Sequence, residues 1–160
     1  MGNKACCGYE GETGSDLEIR RESVDIWRKK KGLSVTSEQV SQWLKRYEAG
    51  DVMEVLFPDG HRIECNLKID REHNFMNLSF NQKARPIQLD DIVGCLYGTD
   101  PILDSECVDS KLLKDPCVVG FRLGSSGRAI AFSFKTVTDA QCFVVFVESE
   151  IERHQKKNHA

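Results

Sequence analysis

The feature that most constrains this chain is a change of hydrophobic period. From Asp51 onward apolar residues recur at every second position: Met53, Val55 and Phe57, then Ile63, Cys65, Leu67 and Ile69, with Pro58-Asp59-Gly60 between them. An alternating run, a turn of Pro, Asp and Gly, and a second alternating run spell a β-hairpin. Met76, Leu78 and Phe80 predict a third strand with Asn77 and Ser79 on its outer face. Pro86 punctuates, and Ile87 to Tyr97 reads as a fourth strand segment broken at Asp90-Asp91. Val119, Phe121 and Leu123 run out to the turn Gly124-Ser125-Ser126-Gly127, and Ile130, Phe132 and Phe134 return. The period then becomes helical. Ala140, Phe143, Val144, Val147 and Ile151 form one apolar stripe. Thr138 and Gln141 have capping-box spacing, and Arg153, His154, Lys156 and Lys157 gather where a helix dipole favours positive charge. These signals predict a small antiparallel β-barrel or sandwich closed by a C-terminal amphipathic helix over 139–157. Between the two halves, residues 98–116 carry five acids and the scattered apolar residues Ile102, Leu103 and Val108, which predicts an exposed loop.

Upstream of the strands a helix is expected from Ser37. Thr36 and Gln39 form a capping box, Val40, Trp43, Leu44 and Tyr47 share one face, and Gly50 is a stop signal. The segment 17–31 is highly charged. Arg20, Arg21, Arg28, Lys29, Lys30 and Lys31 stand against Glu18, Glu22 and Asp25, and Leu17, Val24 and Trp27 share only a rough helical face. Such a basic cluster is either a solvated run or a contact for an anionic leaflet, at about 1 kcal/mol per cation close to the surface. Before it, residues 8–16 are Gly-rich and acidic, the composition of a flexible tether.

The first seven residues, Met1-Gly2-Asn3-Lys4-Ala5-Cys6-Cys7, bear on function. Removing Met1 exposes the Gly2 amine for N-myristoylation, with Cys6 where the usual pattern has Ser or Thr. One myristoyl chain binds a bilayer only marginally, and stable residence takes a second signal. Cys6 and Cys7 are placed to supply it by S-palmitoylation. No run approaches the 18 apolar residues of a membrane-spanning helix, and no apolar segment of a secretory signal follows the N-terminus. A net charge of −3 gives no bulk argument for nucleic-acid binding. The other five cysteines, Cys65, Cys95, Cys107, Cys117 and Cys142, are scattered without ligand spacing. They support neither a disulfide framework nor a metal site, and the chain reads as intracellular and reduced. No cofactor is indicated.

Six or seven antiparallel strands followed by one C-terminal helix resemble a pleckstrin-homology-like (PH-like) domain, and Pro86-Ile87-Gln88-Leu89-Asp90-Asp91-Ile92 looks like the strand-turn segment in the middle of that fold. The resulting division is an acylated tether over 1–16, a charged segment and helix over 17–50, and a PH-like domain over 51–157. Together with Met1-Gly2-Asn3…Cys6-Cys7, and with Ile92-Val93-Gly94-Cys95-Leu96-Tyr97-Gly98 and Ala129-Ile130-Ala131-Phe132-Ser133-Phe134, the chain resembles the inner membrane complex sub-compartment proteins of apicomplexan parasites. The resemblance implies myristate on Gly2 and palmitate on Cys6 and Cys7. It implies attachment to the cytoplasmic face of the flattened sacs under the plasma membrane, and a role in organising that pellicle during daughter-cell formation through protein partners.

Two other functions compete. Many PH domains bind phosphoinositides through basic residues converging in the loop between the first two strands. Here that loop is Phe57-Pro58-Asp59-Gly60-His61-Arg62, short, with an acid and one Arg. An enzyme has less support: His61, His73, His154 and His159 fall in turns or on the last helix, no G-x-S-x-G elbow is present, and the glycines around Gly124 lie between strands rather than before a helix. The protein partners expected from the resemblance would meet the loop 98–116 or an unpaired strand edge.

Overall fold

The computed structural model describes residues 19–98 and 114–159, with side chains as far as 156. Its elements are α1 (Arg21–Lys31), α2 (Ser37–Ala49), β1 (Asp51–Leu56), β2 (Arg62–Asp70), β3 (Phe75–Phe80), β4 (Lys83–Gln88), a 3-10 turn (Leu89–Asp91), β5 (Ile92–Leu96), β6 (Val118–Leu123), β7 (Ala129–Ser133) and α3 (Val137–His159). Among the described residues the strands form one antiparallel sheet in the order β4-β3-β2-β1-β7-β6-β5, and the sheet curls into a half-barrel. This is the mainly-β, PH-like α+β architecture expected from the order of periods.

The concave face is filled by α3 and α2. Phe143, Val144 and Val147 of α3 are fully buried, as are Phe121 and Phe132 of the sheet. Trp43 and Tyr47 of α2 join them: Trp43 lies 6.0 Å from Phe143 and 5.8 Å from Phe146 between ring centroids, and Tyr47 lies 6.0 Å from Phe134 in an edge contact. Such pairs add about 0.5–1.5 kcal/mol each beyond area burial. The boundary at residue 50 is therefore a change of period within one continuous core. Arg46 ties three elements together, reaching Asp51 at 2.9 Å and Asp139 at 2.7 Å. Tyr47 donates its hydroxyl to the Val52 carbonyl at 3.0 Å, and burial pushes its pKa up to about 12.

Four local expectations are corrected. Phe57 does not continue β1 inward; the strand ends at Leu56, and Phe57 stands 39% exposed on the turn. Leu56 instead joins Leu96, Val118, Ala129 and Ala131 in a second small cluster. Pro86 does not precede a strand but lies inside β4, opposite Asn77. A proline is tolerated there because β4 is the edge of the sheet, where its missing N–H is not needed. Asn81 and Gln82, both at positive φ, make the tight β3–β4 hairpin. The segment 87–97 does break at the aspartates, in the 3-10 turn, but Ile87 and Gln88 before the break finish β4 instead of opening a new strand. Finally, α3 begins at Val137, and the Asp139 N–H donates to Thr136 Oγ1 at 3.0 Å, so Thr136 rather than Thr138 caps it. Gln141 is diverted: the Ser34 N–H and hydroxyl both donate to its Oε1, at 2.8 and 3.2 Å. The Thr36–Gln39 capping box of α2 is present on both sides. Most of the loop 98–116 lies outside the described residues.

Candidate functional site

The segment 21–31 is a helix with a firm stop at its C-terminal end and no side-chain cap at its start. Gly32 in the left-handed conformation closes it, and its four last-turn cations suit the negative end of the dipole. Val24 is fully buried, Trp27 packs against the core, and Ile26 is exposed. The helix divides the basic cluster in two. Arg20 and Arg21 stand at its start; Arg28 to Lys31 stand at its end, roughly 12 Å away at 1.5 Å per residue.

The two groups differ in chemistry. Arg28 pairs with Asp25 at 2.9 Å, Lys30 lies 4.8 Å over the Trp27 ring, and Lys31 reaches Glu148 of α3 at 3.3 Å. Glu148 is largely buried; burial raises its pKa, with Lys31 opposing the shift. Lys31 thus holds α1 to the core, and Lys29 is left exposed. Arg20 and Arg21 have no ion-pair partner among the described residues, and the cations across from them, Lys45 of α2 and Arg71 of the β2–β3 turn, come from parts of the sequence with no local signal. Gly2, Cys6 and Cys7 lie outside the described residues.

The β1–β2 turn is tightly made. The Phe57 N–H donates to the His61 carbonyl at 2.8 Å, Gly60 N–H to the Phe57 carbonyl at 2.9 Å, and His61 N–H to Asp59 at 2.8 Å. Gly60 takes φ 92°, which a side chain would strain. Arg62 donates to Ser133 Oγ at 2.9 Å and faces Glu54 at 3.5 Å and Asp115 at 3.9 Å. The one arginine of this turn is therefore already committed within the fold, and the turn offers no converging cations to a phosphate.

Two other polar clusters tie elements of the fold together. Asp91 receives the Ser125 N–H and hydroxyl at 2.8 and 2.6 Å, and its own carbonyl accepts from Gly124 N–H at 2.7 Å. It ties the 3-10 turn to the β6–β7 turn. Buried Arg71 donates through Nε and Nη2 to Glu150 Oε2 at 3.2 and 2.9 Å, and Arg153 reaches Oε1 at 2.8 Å. Burial pushes the Glu150 carboxyl up, but Arg153 and Arg71 outweigh it and hold it below the usual range. Burial raises the Cys142 thiol to about 12 and also raises Cys65, Cys95 and Cys117. A thiol kept protonated is a poor nucleophile.

The family model described as "ISP3 C-terminal" matches residues 39–149. No curated protein matches the chain. Among solved structures, the inner membrane complex sub-compartment protein 3 (ISP3) of Toxoplasma gondii is 61% identical, with 87% of this chain and 98% of that one covered and a TM-score of 0.66. Sub-compartment protein 1 (ISP1) of the same organism is 29% identical, with 74% and 95% covered and a TM-score of 0.67. The chain belongs to the inner membrane complex sub-compartment protein family.

Proposed function

We propose that the chain is a non-enzymatic, lipid-anchored peripheral scaffold of the inner membrane complex. In this reading Gly2 carries myristate, Cys6 and Cys7 carry palmitate, and the PH-like domain meets protein partners of the membrane skeleton during daughter-cell formation. Family membership supports association with that membrane system, and no helix among the described residues is long and apolar enough to cross a membrane. The observation that carries the anchoring itself is the opening Met1-Gly2-Asn3-Lys4-Ala5-Cys6-Cys7, which supplies both signals that stable acyl attachment needs. The scaffold role draws support from the committed Arg62, which argues against headgroup capture at the β1–β2 turn.

Metabolic labelling with clickable myristate and palmitate analogues tests it. Wild type is expected to take up both. Cys6→Ser with Cys7→Ser keeps only myristate, and Gly2→Ala loses both because the first lipid delivers the chain to the second transferase. Myristate uptake by Gly2→Ala, or none by wild type, would contradict the reading.

A further inference from the structure

The described residues begin at Ile19, beside a groove of about 470 Å³ between the start of α1, α2 and the β2–β3 turn. Four cations line it, Arg20, Arg21, Lys45 and Arg71, against one carboxylate, Glu48. Arg20, Arg21 and Lys45 are exposed, and none has an ion-pair partner among the described residues. Arg71 is 5% exposed, and its two bonds to Glu150 Oε2 hold the guanidinium in place at the groove, while Nη1 has no hydrogen-bond partner among the described residues. The hydroxyls of Ser37 and Ser41 also line the groove, and neither has a partner among the described residues. Arg20, at the N-cap of α1, makes no side-chain cap, so the positive end of the helix dipole adds to the same field.

We propose that this groove binds the phosphate-bearing headgroup of an anionic membrane lipid. Cations and hydroxyl donors from three separate elements suit phosphate oxygens, and the volume lies within the range of small-ligand sites. Half-buried Ile19 gives the groove an apolar part as well, while Val40 and Leu44, which also line it, are buried in the core. A free phosphate would gain nothing from that part, whereas a glycerophospholipid places its glycerol and upper acyl atoms there. Ile19 follows Cys7 by twelve positions, and a chain of that length spans at most roughly 40 Å. The proposal rests on the anchored reading in one respect: an acyl chain on Cys7 keeps the groove within that reach of a bilayer. High local concentration then lets a weak headgroup site fill. The groove is distinct from the β1–β2 turn, and it fixes how the domain faces the membrane.

The test uses the full chain carrying Gly2→Ala, so that the groove is measured without the lipid anchor and either idea can fail alone. Binding is titrated against phosphatidylcholine vesicles with and without phosphatidylinositol monophosphate. Selective binding to the anionic vesicles is expected. Changing Arg20, Arg21 and Lys45 together to Gln should weaken it about 100-fold, at roughly fivefold for each cation removed near the surface, and Lys45→Gln alone about fivefold. The charge-matched set Lys68→Gln, Lys83→Gln and Arg85→Gln, on exposed positions of β2 and β4, should leave it within about twofold. Competition by soluble inositol phosphate supports headgroup recognition. Equal losses in the two triple variants would overturn the site in favour of diffuse charge. Binding of inorganic phosphate as tight as that of vesicles, or of a phosphoserine peptide with no vesicle binding, would overturn the lipid assignment.

Discussion

At the β1–β2 turn, Arg62 donates to Ser133 and faces Glu54 and Asp115. In the α1–α2 groove, Arg20, Arg21 and Lys45 have no ion-pair partner among the described residues. Both regions present arginine at the surface of one domain, yet only the second leaves its charge available. The difference comes from what the fold brings alongside. The turn is flanked by β1, β7 and Asp115, each with an acceptor for Arg62. The groove is flanked by α2 and by the β2–β3 turn, which add cations. Counting charges along the chain would not separate the two cases; the neighbours supplied by tertiary structure do.

The comparison breaks most severely at the inner end of the groove. Glu150 is fully buried and binds both Arg71 and Arg153. Replacing it by Gln leaves two guanidiniums without their counter-charge and should cost about 3–5 kcal/mol in urea unfolding. The sign of the pH dependence follows from its lowered pKa. Its contribution is present above the unfolded value of about 4.3 and is lost as pH falls through the folded value, so the deficit of Glu150→Gln should shrink in acid. A deficit independent of pH would mean that Glu150 acts through packing alone.

Thr36→Ala comes next. It removes the oxygen that accepts from Gln39 N–H at 3.2 Å and loosens the turn carrying Ser37, at a cost of about 1 kcal/mol in thermal unfolding. Glu148→Gln should change stability by less than about 1 kcal/mol, because the burial cost of the carboxylate offsets its attraction to Lys31. Its pH signature is opposite to that of Glu150. With the folded pKa raised, the native state holds its proton longer, so stability declines as pH rises from about 4.3 through the folded value. The variant should flatten that decline. Arg62→Gln should have the smallest effect, under about 1 kcal/mol for a half-exposed pair, with no change in binding to anionic vesicles. A loss of vesicle binding in Arg62→Gln would erase the distinction between turn and groove.

The elements were legible where local period and turn chemistry agreed, as in the Pro58–Gly60 hairpin, the α2 capping box and the apolar stripe of α3. They were obscured where a strand buries little. Of β4, only Ile87 is buried, so it carries almost no alternation, and Pro86 suggested a break where an edge strand simply tolerates it. At α3, Thr136 and Thr138 stand two residues apart, and they are told apart only by the Asp139 N–H bond to Thr136 and the engagement of Gln141 with distant Ser34. The basic cluster was visible as composition, but its division was not. Which cations are spent depends on Glu148, more than a hundred residues away from Lys31. Arg71 and Lys45 offered no signal either, since a single cation in a turn or on a helix face is ordinary until another element brings partners to it.

The central claim is that acyl chains at the N-terminus hold this domain to a membrane, and fractionation of cells expressing Gly2→Ala tests it most directly. Wild type is expected to sediment with membranes and Gly2→Ala to move to the soluble fraction, because the proposed headgroup groove alone would be too weak to retain it. A Gly2→Ala chain that remains with the membranes as fully as wild type would contradict the account.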